Sequence, residues 1–169
     1  MANSDINYGT VDGFKTYHTA RGRDISAYTD DVAIAAALVV ASEWVDGRYR
    51  PQFPGWKVGL RLQVREWPRI GGLDIYGYSI ASTAVPDEIA NATYEAALRN
   101  LQSPGSLSVD YTPPRYTDAR VEGAVAVRYF QFSQATAVQT QIQIINEILA
   151  PILTGGNASS ALSGGSARA

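Results

Sequence analysis

The sequence predicts a mainly α protein: a small helical bundle with a two-stranded antiparallel β-ribbon inserted before the C-terminal helix. Three observations predict it. Two long segments carry apolar residues at helical spacing behind capping residues. A later stretch switches to alternating residues rich in branched and aromatic types. The segment after that returns to helical spacing, then gives way to a Gly/Ser/Ala-rich end.

The first element is "TVDGFKTYHTARG", a helix over about 11–21. Thr10 suits the N-cap and Gly22 the stop, while Gly13 inside it weakens the expectation. "YTDDVAIAAALVVASEWVDGRY" follows as a helix over about 30–46. Thr29 or Asp30 caps it, acids fill the first turn, and Gly47 marks its end. Ile34, Leu38, Ala41 and Val45 share one face; Val32, Ala36 and Val39 widen the apolar surface, so this helix is central.

Residues 48–85 are rich in Pro and Gly and read as a long irregular connection. Tyr49, Phe53, Trp56, Trp67, Tyr76 and Tyr78 are available to pin it to the body. "GLRLQV" fits a helical turn or a strand equally. "VPDEIANATYEAALRNL" is a helix over about 86–101, with Pro86 at its first position and Asp87 and Glu88 in its first turn. Its alanines allow a neighbouring helix to pack closely.

"SLSVDY" (about 106–111) and "GAVAVRYFQF" (about 123–132) read as strands joined by the long loop "TPPRYTDAR". Such a ribbon is marginal alone and needs a partner surface. Val138, Ile142, Ile145, Leu149 and Ile152 then follow helical spacing, giving a last helix over about 138–150 that Pro151 ends or kinks. The domain expectation is therefore 1–153, with 154–169 a flexible tail.

Composition removes several classes of function. The chain has 169 residues, enough for one domain with a real core. No uninterrupted apolar run approaches the ~18 residues of a membrane span, and no signal peptide is visible. Cysteine is absent, which excludes disulfides, thiolate catalysis and cysteine zinc sites. His18 is the only histidine, so a histidine metal cluster within one chain is impossible. No phosphate loop, dinucleotide fingerprint or nucleophile elbow is present. The acid pairs Asp30–Asp31 and Asp87–Glu88 are explained by helix capping, and the sequons at Asn91 and Asn157 by chance. The expectation is no enzyme, no catalytic residue, no cofactor and no metal.

The net charge of −2 hides a basic segment. Arg48, Arg50, Lys57, Arg61, Arg65 and Arg69 lie against Glu66 alone between residues 48 and 69. Either these cations make a local field for an anionic partner, or they pair with acids elsewhere in the fold or in a neighbour. Tryptophans 44, 56 and 67 among them can stack on single-stranded bases or pack the segment down; packing is the preferred reading.

The stretch "REWPRIGG" at 65–72 reads as a brace, with Trp67 anchoring it, Pro68 fixing the backbone and Gly71–Gly72 permitting a turn. The order "YH-AR-G", an Ala-rich helix ending "W-DGRY", "Q---EWPR", "DIYGYSI", "VP-EI--A-YEAAL" and "ILAPIL" resembles a family of small tailed-phage proteins. These are labelled DnaT-like single-stranded-DNA-binding. The pattern is also similar to the head–tail adaptor, or head-completion, proteins of siphophage necks. The resemblance runs from about Gly9 to Leu153.

It implies a virion protein, made in the host cytoplasm, whose copies form a ring, typically twelvefold. Such a ring docks on the portal protein, extends the channel for genomic double-stranded DNA, and meets the next neck or tail-completion protein; no membrane is involved. The single-stranded-DNA label is read as a name inherited by similarity, and a single-stranded-DNA-binding module is kept as the alternative function.

The candidate brace is Trp44, Gly47, Tyr49, Gln63, Trp67, Pro68 and Arg69. Arg48, Arg50, Lys57, Arg61 and Arg65 are candidates for subunit or DNA-channel contacts. Val125, Val127, Tyr129 and Phe130 are candidates for a ribbon interface. Leu153, Thr154, Gly155 and Gly156 are the candidate portal-contacting segment implied by the resemblance.

Overall fold

The computed structural model describes residues 6–108 and 142–154, together with the backbone of 118–121 and 125–128. The fold is mainly α with a small antiparallel ribbon, as the sequence predicts. Helix α1 spans Val11–Ala20, α2 Asp31–Tyr49, α3 Asp87–Gln102 and α4 Gln143–Leu149. The described strands are β1 (Trp56–Lys57), β2 (Arg69–Ile70), β3 (Asp118–Val121) and β4 (Val125–Arg128). Each strand pairs antiparallel with its successor, β1 with β2 and β3 with β4.

The caps form where the side chains allow. Thr10 accepts from the Gly13 amide at 3.0 Å, and Asp30 accepts from the Val32 amide at 2.9 Å. Gly22, at φ 66°, follows the end of α1 as expected. Gly13 has a specific reason to be glycine. A Cβ there would collide with the Tyr94 hydroxyl, so α1 lies directly on α3 at this point.

Helix α2 packs along α3, α3 packs on α4, and α1 touches both α2 and α3. Ile34, Leu38, Ala41 and Val45 from α2 are buried in one core with Ile89, Ala92, Ala96 and Ala97 from α3 and Ile145 and Leu149 from α4. Among the described residues, no helix is long and apolar enough to cross a membrane.

Four expectations need correction. Helix α2 does not stop at Gly47 but runs to Tyr49. Burial of Tyr49, whose hydroxyl donates to Asn146 Oδ1 at 2.5 Å, offsets the ~1 kcal/mol that a helical glycine costs. The predicted strand at 106–111 is a run of turns over Ser103–Ser108 as far as the described residues go. Gly105 at φ 84° closes it, with Ser106 N donating to Ser103 O and Ser108 N to Gly105 O. Turn chemistry overrides the alternating pattern there, and Leu107 is buried from the turn.

The ribbon's first arm is instead β3, drawn from the expected loop. Val121 pairs with Val125, the innermost described pair of the ribbon. The second arm, β4, falls within the predicted 123–132; Tyr129 and Phe130 lie outside the described residues. Finally, α4 starts at Gln143, because Ile142 is extended at φ −102°, ψ 98°. Residues 138–141 lie outside the described residues. Pro151 ends the element as expected, within a 3₁₀ turn over Ala150–Ile152.

Candidate functional site

The segment between α2 and α3 is built around buried ions. Pro51 opens a 3₁₀ turn at Arg50–Gln52, and the chain then runs into β1. A further 3₁₀ turn at Leu60–Leu62 resolves "GLRLQV" as helical in kind. Gln63 ties this turn to the chain leading into β2. Its amide donates to Arg65 O at 2.9 Å and Pro68 O at 3.0 Å, while its oxygen accepts from Gly59 N at 2.8 Å.

Trp67 is 1% exposed and meets Phe53 edge-to-face at 5.7 Å; the Trp67–Pro68 peptide bond is cis. The structure thus brings Gln63, Trp67, Pro68 and Arg69, which the sequence offered as a brace, together in this one segment. Trp44 contributes by an edge contact to Tyr49 at 6.1 Å.

Arg69 is the clamp of the segment. Its Nε donates to Pro54 O at 2.7 Å, Nη2 to Gly55 O at 2.6 Å, and Nη1 to Glu66 Oε2 at 2.9 Å. Gly55 has φ 66°, and a Cβ on it would strike Ile70 O, so only glycine lets the two strands close on each other. The other oxygen of Glu66 takes Arg50 Nε at 2.9 Å, with Lys57 Nζ at 3.8 Å. One buried carboxylate therefore gathers three cations of the basic segment.

A second cluster ties the brace to α2 and to Ile6 and Tyr8 near the N-terminus. Arg65 donates from Nε to Ile6 O at 2.5 Å and reaches Glu43 at 3.4 Å and Asp46 at 3.6 Å. The Tyr8 hydroxyl donates to Asp46 at 2.5 Å and accepts from the Trp67 amide at 3.1 Å. Burial and the neighbouring Asp46 carboxylate push the Tyr8 hydroxyl far up, so it stays a donor. Burial also raises Asp46 above the usual carboxylate range, against the pull of Tyr8 and Arg65.

Of the two readings the sequence left open for the basic segment, these placements match pairing within the chain for four of its cations. Arg50, Lys57, Arg65 and Arg69 are held by acids and carbonyls of their own chain. Arg48 sits half-buried in the last turn of α2 and is also engaged. Arg61 is exposed. The paired-arginine reading describes this segment better than a cationic groove. Leu153 is half-buried, and Thr154 donates from both N and Oγ1 to Gln52 O at 2.7 Å. Gly155 and Gly156 lie outside the described residues, and of Val125 and Val127 only the backbone is described.

Large apolar side chains also face outward from this frame. Trp56, Tyr76 and Tyr78 were expected to pin the segment down, yet they are 76%, 75% and 71% exposed. Leu60, Leu62, Val64, Ile70, Leu73 and Ile75 are exposed beside them in sequence. A groove of about 580 Å³ runs between the Leu60–Leu62 turn and residues 83–85, with Trp67 and Pro68 along it. The arrangement suits docking of an apolar surface or stacking of flat rings. No group of side chains that would hold a metal ion occurs among the described residues.

A second buried carboxylate, Glu95 on α3, fixes α1 to the bundle. It accepts from Arg23 at 2.7 Å, Arg99 at 2.8 Å and Tyr17 at 3.1 Å. Burial pushes its pKa up, but the arginines and the tyrosine outweigh this and hold it below the usual range. The Tyr17 hydroxyl is pushed up to about 12, by burial and then by Glu95.

His18, on α1, lies fully buried in the same region, within 3.1 Å of Tyr94 O. Sequence reasoning missed the acid hubs. Glu66 had a usable signal as the lone acid among six cations. The Tyr8–Asp46 pair had none, because 38 positions separate its members.

A family described as "Putative DnaT-like ssDNA binding protein" matches residues 2–165. Comparison with curated proteins and with solved structures gives no match. Because the family match spans nearly the whole chain, braced segment and helices alike, the protein belongs to this DnaT-like ssDNA binding protein family.

Proposed function

We propose that the protein is a non-enzymatic structural subunit that assembles with copies of itself. In this reading the copies form a ring at the head–tail junction of a tailed phage. The ring docks on the portal protein and carries the DNA channel toward the next neck or tail component. The observation that supports it is the polarity of the 50–78 segment: Arg65, Glu66 and Arg69 are buried with Lys57 turned onto them, while large apolar side chains face outward. A monomer gains nothing from that arrangement, whereas a subunit covers the apolar side against a neighbour. The resemblance to adaptor proteins supplies the location.

The family description and the exposed Trp56, Tyr76 and Tyr78 favour a second reading, single-stranded-DNA binding by base stacking. Its weakness is charge. Such grooves need cations along the backbone path, and four cations of the basic segment are committed within the chain.

Two measurements separate the readings. Mass spectrometry and imaging of purified particles should find this chain in a closed ring next to the portal. Titration with a single-stranded oligonucleotide at ~0.15 M salt should give weak binding, no tighter than the ~10⁻⁴–10⁻⁶ M of non-specific contacts. Submicromolar affinity lost in Trp56→Ala, with the chain absent from particles, would reverse the order.

A further inference from the structure

We infer that the Trp56–Ile70 face of the β1–β2 ribbon is a self-association surface whose seat is the groove beside Leu62 and Pro68 on a second copy. The inference rests on the structural-subunit reading and names the contact it needs. The ribbon is inverted relative to a soluble hairpin. Directly opposed residues share a face, so Lys57 and Arg69 form one side and Trp56 and Ile70 the other. The charged side turns into the protein onto Glu66, and the apolar side faces out. Antiparallel sheets with one solvated face normally put the polar side outward.

Area argues for a macromolecular occupant. The exposed apolar side chains of residues 56–78 present roughly 800 Å². Summed over knob and seat together, that is comparable with one partner's share of a standard interface, ~800 Å². Charge favours an apolar occupant over a polyanion. On the Trp56–Ile70 ribbon Lys57 and Arg69 are both turned onto Glu66, Asp74 adds a carboxylate at the nearby turn through the Tyr76 and Tyr78 amides, and Arg61 is the exposed cation beside the groove.

Shape argues for a second copy. The groove is lined by Val58, Leu62, Val64, Trp67, Pro68 and Val85, and its volume of about 580 Å³ is large enough for an indole. Knob and seat lie on the same chain. Copies therefore satisfy each other without a different partner, in a closed pair or, head to tail, in a ring.

The chain has no cysteine, so engineered thiols report the contact cleanly. Trp56→Cys and Ala84→Cys chains, full length, are mixed at high concentration and oxidised. The expected result is a disulfide joining the two variants, and a ladder of higher oligomers from the double variant. Sedimentation should show Trp56→Asp to self-associate about 30-fold more weakly or worse, with Trp56→Phe close to wild type and thermal melting unchanged in both.

Association that persists undiminished in Trp56→Asp would overturn this face while leaving self-assembly standing. A wild-type chain that stays monomeric and yields no cross-link would overturn both. Loss of oligonucleotide binding in Trp56→Asp, without any self-association to lose, would replace the second copy by single-stranded DNA.

Discussion

Replacing Arg69 by alanine tests whether the brace is held by its buried ions. The side chain is 9% exposed and makes three bonds under 3 Å, two to backbone carbonyls of Pro54 and Gly55 and one to Glu66. Hydrogen bonds to charged groups contribute about 1.5–3 kcal/mol each, but they are not additive, because water can enter the space a deleted side chain leaves. The larger effect is the Glu66 carboxylate left buried with weaker compensation, and breaking such a pair costs about 3–5 kcal/mol.

That total is the expected loss. For a domain of this size it lowers the melting midpoint by roughly 6–20 °C. Arg69→Lys keeps one charge but cannot reach both carbonyls with a planar fork, so it should fall between alanine and wild type. Arg50 is 63% exposed, and its alanine variant should lose no more than about 1 kcal/mol although it shares the same carboxylate. The assay is chemical denaturation of the four proteins, with Glu66→Gln added to form a double-mutant cycle. A loss below about 1 kcal/mol for Arg69→Ala, or no coupling between positions 66 and 69, would refute the clamp.

Trp67→Ala removes a fully buried indole from the Phe53 contact and should cost about 3–5 kcal/mol; an unchanged melting midpoint would show the anchor to lie elsewhere. Glu95 carries a pH signature. Its pKa is lower folded than unfolded, so its stabilising contribution is full above the unfolded value, about 4.3, and is lost as pH falls through the folded one. Glu95→Gln should therefore lower stability near neutral pH, and its deficit against wild type should shrink on acidification below about pH 4.5. A deficit that stays constant down to acid unfolding would exclude the ionic role.

The helices were legible because their signals are local. Thr10 and Asp30 cap through amides two or three residues away, and the stripes Ile34–Leu38–Ala41–Val45 and Ile89–Thr93–Ala96 repeat with the helical turn. The errors fell where a local pattern was outvoted. Gly47 reads as a stop, but the burial of Tyr49 carries α2 past it. "SLSVDY" alternates, but Gly105 and its turn bonds set the backbone first.

By itself, the sequence determined a cysteine-free, mainly α domain with a single histidine, and it offered 65–72 as a brace. Only the tertiary structure decided what the cations do. An arginine looks the same in sequence whether it faces a polyanion or a buried glutamate. Pairing Arg65 with Asp46 and Ile6, and Arg69 with Pro54 and Gly55, requires segments up to 59 residues apart to meet. Once those ions turn inward, the two faces of so short a ribbon leave Trp56 and Ile70 only the outside. Exposure of an apolar side chain depends on the packing of the whole fold, and no local spacing encodes it.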